Sequence, residues 1–273
     1  MTEPNAALGA LADAILDLHG TGTQVAPFEG RVPGFDLDAA YAIAARIRDR
    51  RVARGERPVG RKIGFTNRAV WAGQGLSAPI WNWMFDATVR DLDAADATFP
   101  LGATPEPRIE PEIALGLARA PEPGMDDRAL LACLAWVAPA FEIVASHFPG
   151  WAFSAADATA AFGVHVALLV GERRSVADDP DGWLARLSTF TVALADANGV
   201  RAEGHAGNVL GGPLDALRFL LRDLAARPEL PPLVAGEIVT TGTLTEALPV
   251  APGERWTARF AGIALAPLAV RFT

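Results

Sequence analysis

In Arg108-Ile109-Glu110-Pro111-Glu112-Ile113-Ala114-Leu115-Gly116-Leu117, two carboxylates lie one residue apart. Side chains of a strand alternate between its faces, so this spacing puts Glu110 and Glu112 on the same side. Short apolar or alternating runs recur along the chain: VGRKIGF (59–65), FEIVAS (141–146), FGVHVALLVG (162–171), TFTVALAD (189–196), GEIVTTG (236–242) and RWTARFAGIALAPLAVRF (255–272). All read as strands. Upstream, Leu8, Leu11, Ile15 and Leu18 fall at helical spacing, and Ala40, Ile43, Ala44 and Ile47 repeat it after Asp36, a helix cap. Further helices are expected at 126–136 after Asp126, near 180–188, and at 213–226, where Leu214, Leu217, Leu220, Leu221 and Leu224 make an apolar stripe. Helices this few and this irregularly placed do not make a regular β-α alternation, so the expected class is α+β with a mixed or largely antiparallel sheet. The expected division is a helical region over 1–57 and a β-rich region over 58–273.

Composition narrows the function. The chain has 273 residues, 51% of them hydrophobic, enough for one or two domains with ample core. With 24 Lys+Arg against 32 Asp+Glu, a formal net charge of −8, there is no basic footprint for a nucleic-acid backbone. The single cysteine, Cys133, lies in the apolar run LLACLAWVAPAF, where a buried structural thiol is expected. No apolar run reaches the roughly 20 residues that span a bilayer. The expectation is a cytoplasmic protein with a small-molecule partner, no nucleic acid, no membrane, and apolar surface suited to a homo-oligomer.

Thirty residues after Glu112 comes Glu142, a carboxylate inside the apolar run Trp136-Val137-Ala138-Pro139-Ala140-Phe141-Glu142-Ile143-Val144-Ala145. An ionised Glu142 in a core strand is costly unless it is paired or bound to a metal. Three convergent carboxylates suit a hard divalent cation such as Mg²⁺ or Mn²⁺ and fit zinc poorly. The plain alternative is a solvated sheet face carrying Glu110 and Glu112, with an arginine beside Glu142.

Lys62 is the only lysine; arginine supplies every other basic side chain. A surface position is its ordinary reading. A lysine, unlike an arginine, can have its pKa lowered by burial into a catalytic range, which makes Lys62 a proton-transfer candidate. Among the histidines, His165 alternates with apolar residues and reads as a hydrogen-bonded strand residue, His19 and His205 lie beside glycines, and His147 follows Glu142 closely enough to border the same site. Asp86 follows an aromatic cluster, with loop capping as its plain reading. Gly242-Thr243 offers a backbone N–H and a hydroxyl for an anion at a strand end. No phosphate-binding loop or nucleophile elbow is present.

Taken in order, GRKIGFTN, PRIEPEIALGL, PAFEIVAS and GEIVTTGTLTEALPVAPGERWTARFAGIA resemble the 2-keto-4-pentenoate hydratase group of the fumarylacetoacetate hydrolase superfamily. The resemblance implies a mixed β-sandwich roll with a small N-terminal helical region over 1–57 and a catalytic domain over 58–273. It also implies a Mg²⁺ or Mn²⁺ site and 2-oxo acid chemistry of the kind found in aromatic catabolism. Glu110, Glu112 and Glu142 match the metal carboxylates; Lys62, with Thr66 completing its G-x-K-I-G-x-T pattern, matches the active-site lysine. Asp86 falls where the hydratases carry an acid after a loop. With Thr66, the residue readings add His147 and Thr243 as candidate substrate contacts, and His147-Phe148-Pro149-Gly150-Trp151 looks like a subgroup feature. Two departures stand out: Ala158-Thr159-Ala160-Ala161-Phe162 replaces an Asn-Ala-Ser-like stretch before Gly163, and Ile80-Trp81-Asn82-Trp83-Met84-Phe85 is unusually aromatic, which suggests a different or larger pocket.

The implied reaction is hydration of a 2-hydroxy-2,4-dienoate through a metal-stabilised enolate, with Lys62 and Asp86 in acid-base or orienting roles. The same site suits decarboxylation of a 2-oxo-3-enedioate or C–C hydrolysis of an acylpyruvate, the latter usually needing a His-Glu pair that His19 or His147 would half supply. A metal- or metabolite-binding domain without turnover is the non-enzymatic alternative.

Overall fold

Residues 108–117 form the strand their alternation calls for, and the larger sheet is arranged around it. The computed structural model describes residues 3–92 and 97–273. In chain order the strands are β1 (Pro58–Gly64), β2 (Ile80–Phe85), β3 (Val89–Asp91), β4 (Thr98–Phe99), β5 (Arg108–Leu117), β6 (Leu134–Val144), β7 (His165–Val170), β8 (Arg174–Ser175), β9 (Thr191–Asp196), β10 (Gly199–His205), β11 (Ile238–Thr240), β12 (Leu248–Pro249), β13 (Arg255–Ala261) and β14 (Leu268–Phe272). The helices are α1 (Glu3–Leu16), α2 (Leu37–Ala53), α3 (Asp127–Leu131), α4 (Ala155–Ala160), α5 (Pro180–Arg186) and α6 (Pro213–Ala226). One sheet runs β2-β1-β11-β5-β6-β7-β3, with β12 and β8 pairing onto β5 and β6; the other runs β10-β9-β13-β14-β4. Pairing is antiparallel except at β1–β11, β3–β7 and β14–β4. The architecture is the mixed α+β roll with few helices that the sequence implies.

Alternation along β5 sorts its residues into two layers. Ile109, Ile113, Leu115 and Leu117 enter the large core with Val137, Phe141 and Ile143 of β6, Ile63 of β1, and α6 leucines such as Leu217 and Leu220. Each fully buried side chain of this kind contributes about 1.5–3 kcal/mol. Glu110, Glu112, Ala114 and Gly116 take the other face, where Ala114 joins Ala138, Ala140, Leu168 and Val170 in a smaller cluster. β2 is sorted the same way. Trp81, Trp83 and Phe85 go to the large core, with Tyr41 and Trp81 rings 5.1 Å apart, while Asn82 faces Lys62 across the β1–β2 ladder. The aromatic run therefore lines the core behind the sheet and does not enlarge a pocket, a correction to the sequence reading.

The helix expected over 126–136 ends at Leu131. Asp126 caps it through Ala129 N, but from Leu134 the chain pairs with Leu117 and enters the β5 ladder, which overrides local helical preference. α1 and α2 share an apolar cluster with Phe148, Ala156, Ala160 and Phe162. Asp157 joins these parts: in a capping box with Ser154, it also accepts the Phe28 N–H at 2.7 Å and the Glu29 N–H at 3.2 Å. Cys133 is buried and free. Among the described residues no helix is long and apolar enough to cross a membrane.

Candidate metal centre and cleft

Antiparallel pairing of β5 with β6 sets Glu110 directly opposite Glu142, and Glu112 stands two residues along the same face. One carboxylate oxygen from each lies within 4.8 Å of the others. Glu112 and Glu142 are fully buried, and Glu110 is half-buried at the edge of a cleft of about 850 Å³. Glu112 Oε2 accepts the Gly242 N–H at 3.0 Å, so the donor expected at that strand end serves the protein's own carboxylate. Glu142 Oε1 lies 2.7 Å from His165 Nδ1, whose Nε2 is 3.0 Å from Thr88 Oγ1. Glu112 Oε1 and Glu142 Oε2, both buried, accept no hydrogen bond, and only the latter has a charge beside it, the Lys62 ammonium. Buried carboxylate oxygens that converge with this little compensation fit a hard divalent cation, and the all-oxygen donor set suits Mg²⁺ or Mn²⁺.

The electrostatics follow from burial. Burial pushes the Glu110 carboxyl up to about 7, with Lys62 pulling it down and Glu142 pushing it further up. Glu112 is raised well above the usual carboxylate range by burial and then by Glu142 and Glu110. Glu142 takes the opposite direction: burial raises it, but the Lys62 charge and the His165 hydrogen bond bring it below its ordinary value. Burial also pushes Lys62 down, yet Glu142, Glu110 and Glu112 together lift it above its ordinary value. The lowering expected from burial alone is thus overturned by three neighbouring carboxylates. Lys62 stands as an ammonium, donating to Gly163 O at 2.8 Å and lying 3.3 Å from Glu142 Oε2.

Lys62, Thr66, Arg108, Glu110, Trp151 and Thr243 all line the cleft. Thr66 packs so closely on Gly242 that a Cβ there would lie 2.5 Å from it, and φ of Gly242 is +97°. Arg108 lies over the Trp151 ring, 4.1 Å from its centroid. Phe65, Trp151, Val164 and Leu210 line the cleft with positive φ although none is glycine. Such conformations cost of order 1–3 kcal/mol each and persist where surrounding structure imposes them, which is typical of functional sites.

Two residues placed at the site from sequence lie elsewhere. Asp86 follows the far end of β2, roughly 13 Å along the strand from Asn82. There it accepts the Arg57 N–H at 3.1 Å and pairs with Arg57 Nε at 3.0 Å, contacts that hold its carboxyl below the ordinary range. The antiparallel turn of β2 carries it away from the cleft, so the capping reading stands. His147 is buried behind the cleft wall, its Nδ1 3.3 Å from Thr23 O and its ring against Phe162, because the chain turns away after β6. Burial holds it below its ordinary pKa. Conversely, His165, read as a hydrogen-bonded strand residue, makes its bond to Glu142. Asn82 and the Gly163 carbonyl were not singled out as site residues; the only sequence signals were the two departures that contain them.

No protein-family model matches the chain. A 2-keto-4-pentenoate hydratase of Paraburkholderia xenovorans is 30% identical over 256 residues, which is 92% of this chain and 90% of that protein. A 4-oxalocrotonate decarboxylase of a Pseudomonas species is 30% identical over 256 residues, 93% of this chain and 91% of its own length. The crystal structure of a 4-oxalocrotonate decarboxylase from Pseudomonas putida, complexed with magnesium and adipate, superposes with a TM-score of 0.88 at 26% identity, covering 100% of this chain and 99% of that one.

Proposed function

The chain belongs to the 2-keto-4-pentenoate hydratase family of the fumarylacetoacetate hydrolase superfamily, and on that premise we propose that it is a divalent-metal-dependent hydro-lyase adding water to a 2-hydroxy-2,4-dienoic acid. The observation that carries this reading is the convergence of Glu110, Glu112 and Glu142 beside the chain's only lysine, with Lys62 and Glu110 lining one cleft.

A cation held by the three glutamates supplies electrostatic stabilisation of negative charge developing on the 2-oxo oxygen. The side chains do the rest. His165 Nδ1 fixes Glu142, and Gly242 N fixes Glu112, so both carboxylates are oriented before a ligand arrives. The Lys62 ammonium has three N–H donors; Gly163 O takes one, Glu142 faces a second, and the third serves the cleft. Lys62 passes a proton to the terminal carbon of the dienoate and regains one from the 2-hydroxyl, giving the 2-oxo-3-enoate. Water then adds at C4 and a proton at C3, so the product is a 4-hydroxy-2-oxo acid. Thr243, whose Oγ1 donates to Thr245 O at 3.0 Å, keeps lone pairs for water or substrate, and Thr66 stands beside it on the cleft wall.

Decarboxylation of a 2-oxo-3-enedioate is the second reading, favoured by the full-length likeness to a decarboxylase structure. Acylpyruvate hydrolysis is not supported, since among the described residues no histidine lines the cleft to form a water-activating pair. The test is calorimetric titration of metal-free protein with Mg²⁺, with and without oxalate, followed by product analysis on 2-hydroxypenta-2,4-dienoate and on an oxalocrotonate-type diacid. Metal-dependent oxalate binding with a hydrated product is the expected result; release of CO₂ from the diacid alone makes the second reading correct, and binding without turnover makes the protein a metabolite-binding domain. The same reading includes a cytoplasmic setting and a homo-oligomer, the latter checked by light scattering.

A further inference from the structure

Asn82 is buried, does not line the cleft, and sits on β2 directly across from Lys62 on β1. Its Nδ2 donates to Thr159 O near the end of α4 at 2.7 Å, while its Oδ1 accepts the Trp83 N–H at 2.8 Å. The primary amide does this with two separate atoms, where a carboxylate has no hydrogen to give Thr159 and an aliphatic side chain offers neither group. α4 leads directly into Phe162, Gly163 and Val164, with φ of 60°, 62° and 59°. Three consecutive left-handed residues, one of them β-branched, do not form by local preference. The turn is held from outside, by Ala145 N donating to Val164 O at 2.9 Å on one side and by the Asn82 bond to α4 on the other. What the turn delivers is the Gly163 carbonyl, 2.8 Å from Lys62 Nζ. The three residues are packed without slack: a Cβ on Gly163 would lie 3.0 Å from Asn82 Cβ and 3.1 Å from Lys62 Cδ.

We propose that Asn82 is a positioning residue for Lys62. By tying the end of α4 to β2, it sets the left-handed turn so that the Gly163 carbonyl aims the Lys62 ammonium at the cleft. The proposal rests on the reading of Lys62 as the proton-handling group, and it extends that reading to a residue that touches neither metal ligands nor cleft.

The test uses the fact that Lys62 is the only lysine. Protein labelled with ¹⁵N-lysine therefore has a single side-chain ammonium resonance, which reports Lys62 alone. Asn82→Asp, which keeps the shape but removes the donor, and Asn82→Ala are measured for that resonance, for kcat and KM on 2-hydroxypenta-2,4-dienoate, and for Mg²⁺-dependent oxalate binding. The expected result is a solvent-protected resonance in the wild type that shifts and exchange-broadens in both variants. kcat falls about 10- to 100-fold, the cost of misplacing a reacting group by about an ångström, while KM and oxalate affinity stay within about twofold. Gly163→Ala, which wedges between Asn82 and Lys62, gives the same split. An unchanged resonance with unchanged kcat overturns the proposal. So does a parallel loss of kcat and oxalate affinity, which would make Asn82 a packing residue only. If the wild type neither turns over nor binds oxalate, the functional reading fails separately, and the lysine resonance alone decides for or against Asn82.

Discussion

On one face of β5, Ile109, Ile113, Leu115 and Leu117 are shut into the large core; on the other, Arg108, Glu110 and Glu112 run from the cleft into the sheet, followed by Ala114 and Gly116. The first face gains free energy through apolar area, which is roughly additive and tolerant of side-chain identity. The second spends it. Carboxylates are held out of water with two oxygens that accept no hydrogen bond, and positive-φ residues accumulate around the cleft. One ten-residue strand thus serves as both scaffold and site, because period-two alternation puts the two tasks on adjacent residues. Mutations on the two faces should therefore read out in different experiments.

Glu142→Ala should have the largest effect. It removes a candidate metal carboxylate and leaves the Lys62 charge buried without its ion-pair partner, so Mg²⁺-dependent oxalate binding should vanish and turnover fall by about 1000-fold or more, several kcal/mol of lost stabilisation. Retained oxalate binding would dissolve the distinction between the faces. Lys62→Arg keeps the positive charge but not the compact, transferable proton. Turnover should drop about 100-fold or more while calorimetry still detects Mg²⁺, and near-normal kcat would remove Lys62 from the chemistry. Ile113→Ala, one residue from Glu112 but on the other face, should cost about 2–5 kcal/mol in denaturant unfolding with Mg²⁺ affinity retained below the transition. Loss of metal affinity without loss of stability would mean that the two faces do not act separately.

A pH series sharpens the contrast further. Glu110 titrates at about 7 against an ordinary value of 4.5, and Glu112 is raised still more clearly, so Mg²⁺ must displace protons and its affinity should rise through pH 7, with proton uptake by buffer seen as buffer-dependent heats. In the metal-free protein the sign for stability is the reverse. A carboxyl raised in the folded state contributes stability fully present below 4.5 and lost as pH rises through about 7, so melting temperature should fall from pH 5 to 8 without Mg²⁺ and recover with it. Glu142, lowered in the fold, opposes this only in the acid range near 4.5, whereas Lys62, raised, adds a further loss of stability in the same direction, confined to strongly alkaline pH. A flat profile would show that the carboxylates are not desolvated. The smallest effect belongs to Asp86→Ala, which breaks a partly exposed pair with Arg57 and should leave turnover within about twofold by steady-state assay.

Much of this was legible in sequence because the informative residues are local in pattern. β5 and α6 were readable to the residue, since their apolar periodicities run unbroken. Glu142 announced itself by being charged inside an apolar run, and Lys62 by being the one basic residue that is not arginine. β2 was obscured because a strand buried on both faces lacks a polar rhythm, so its aromatic residues gave no hint of which side they took. α4 is only six residues long and alanine-rich, which hid its role as a support.

Spacing within single segments and composition were enough to read the strand-rich class and to single out Glu110, Glu112, Glu142 and Lys62 as candidates, while Thr66 came only from the family resemblance. Only tertiary structure decided that Asp86 and His147 lie off the cleft, that His165 serves Glu142, and that Lys62 is held as an ammonium by the glutamates despite burial. Those outcomes depend on which strand lies beside which and on the electrostatic field of residues distant in sequence. A pKa, a hydrogen-bond partner and a left-handed turn are properties of the packed neighbourhood, and no single segment carries the information to specify them.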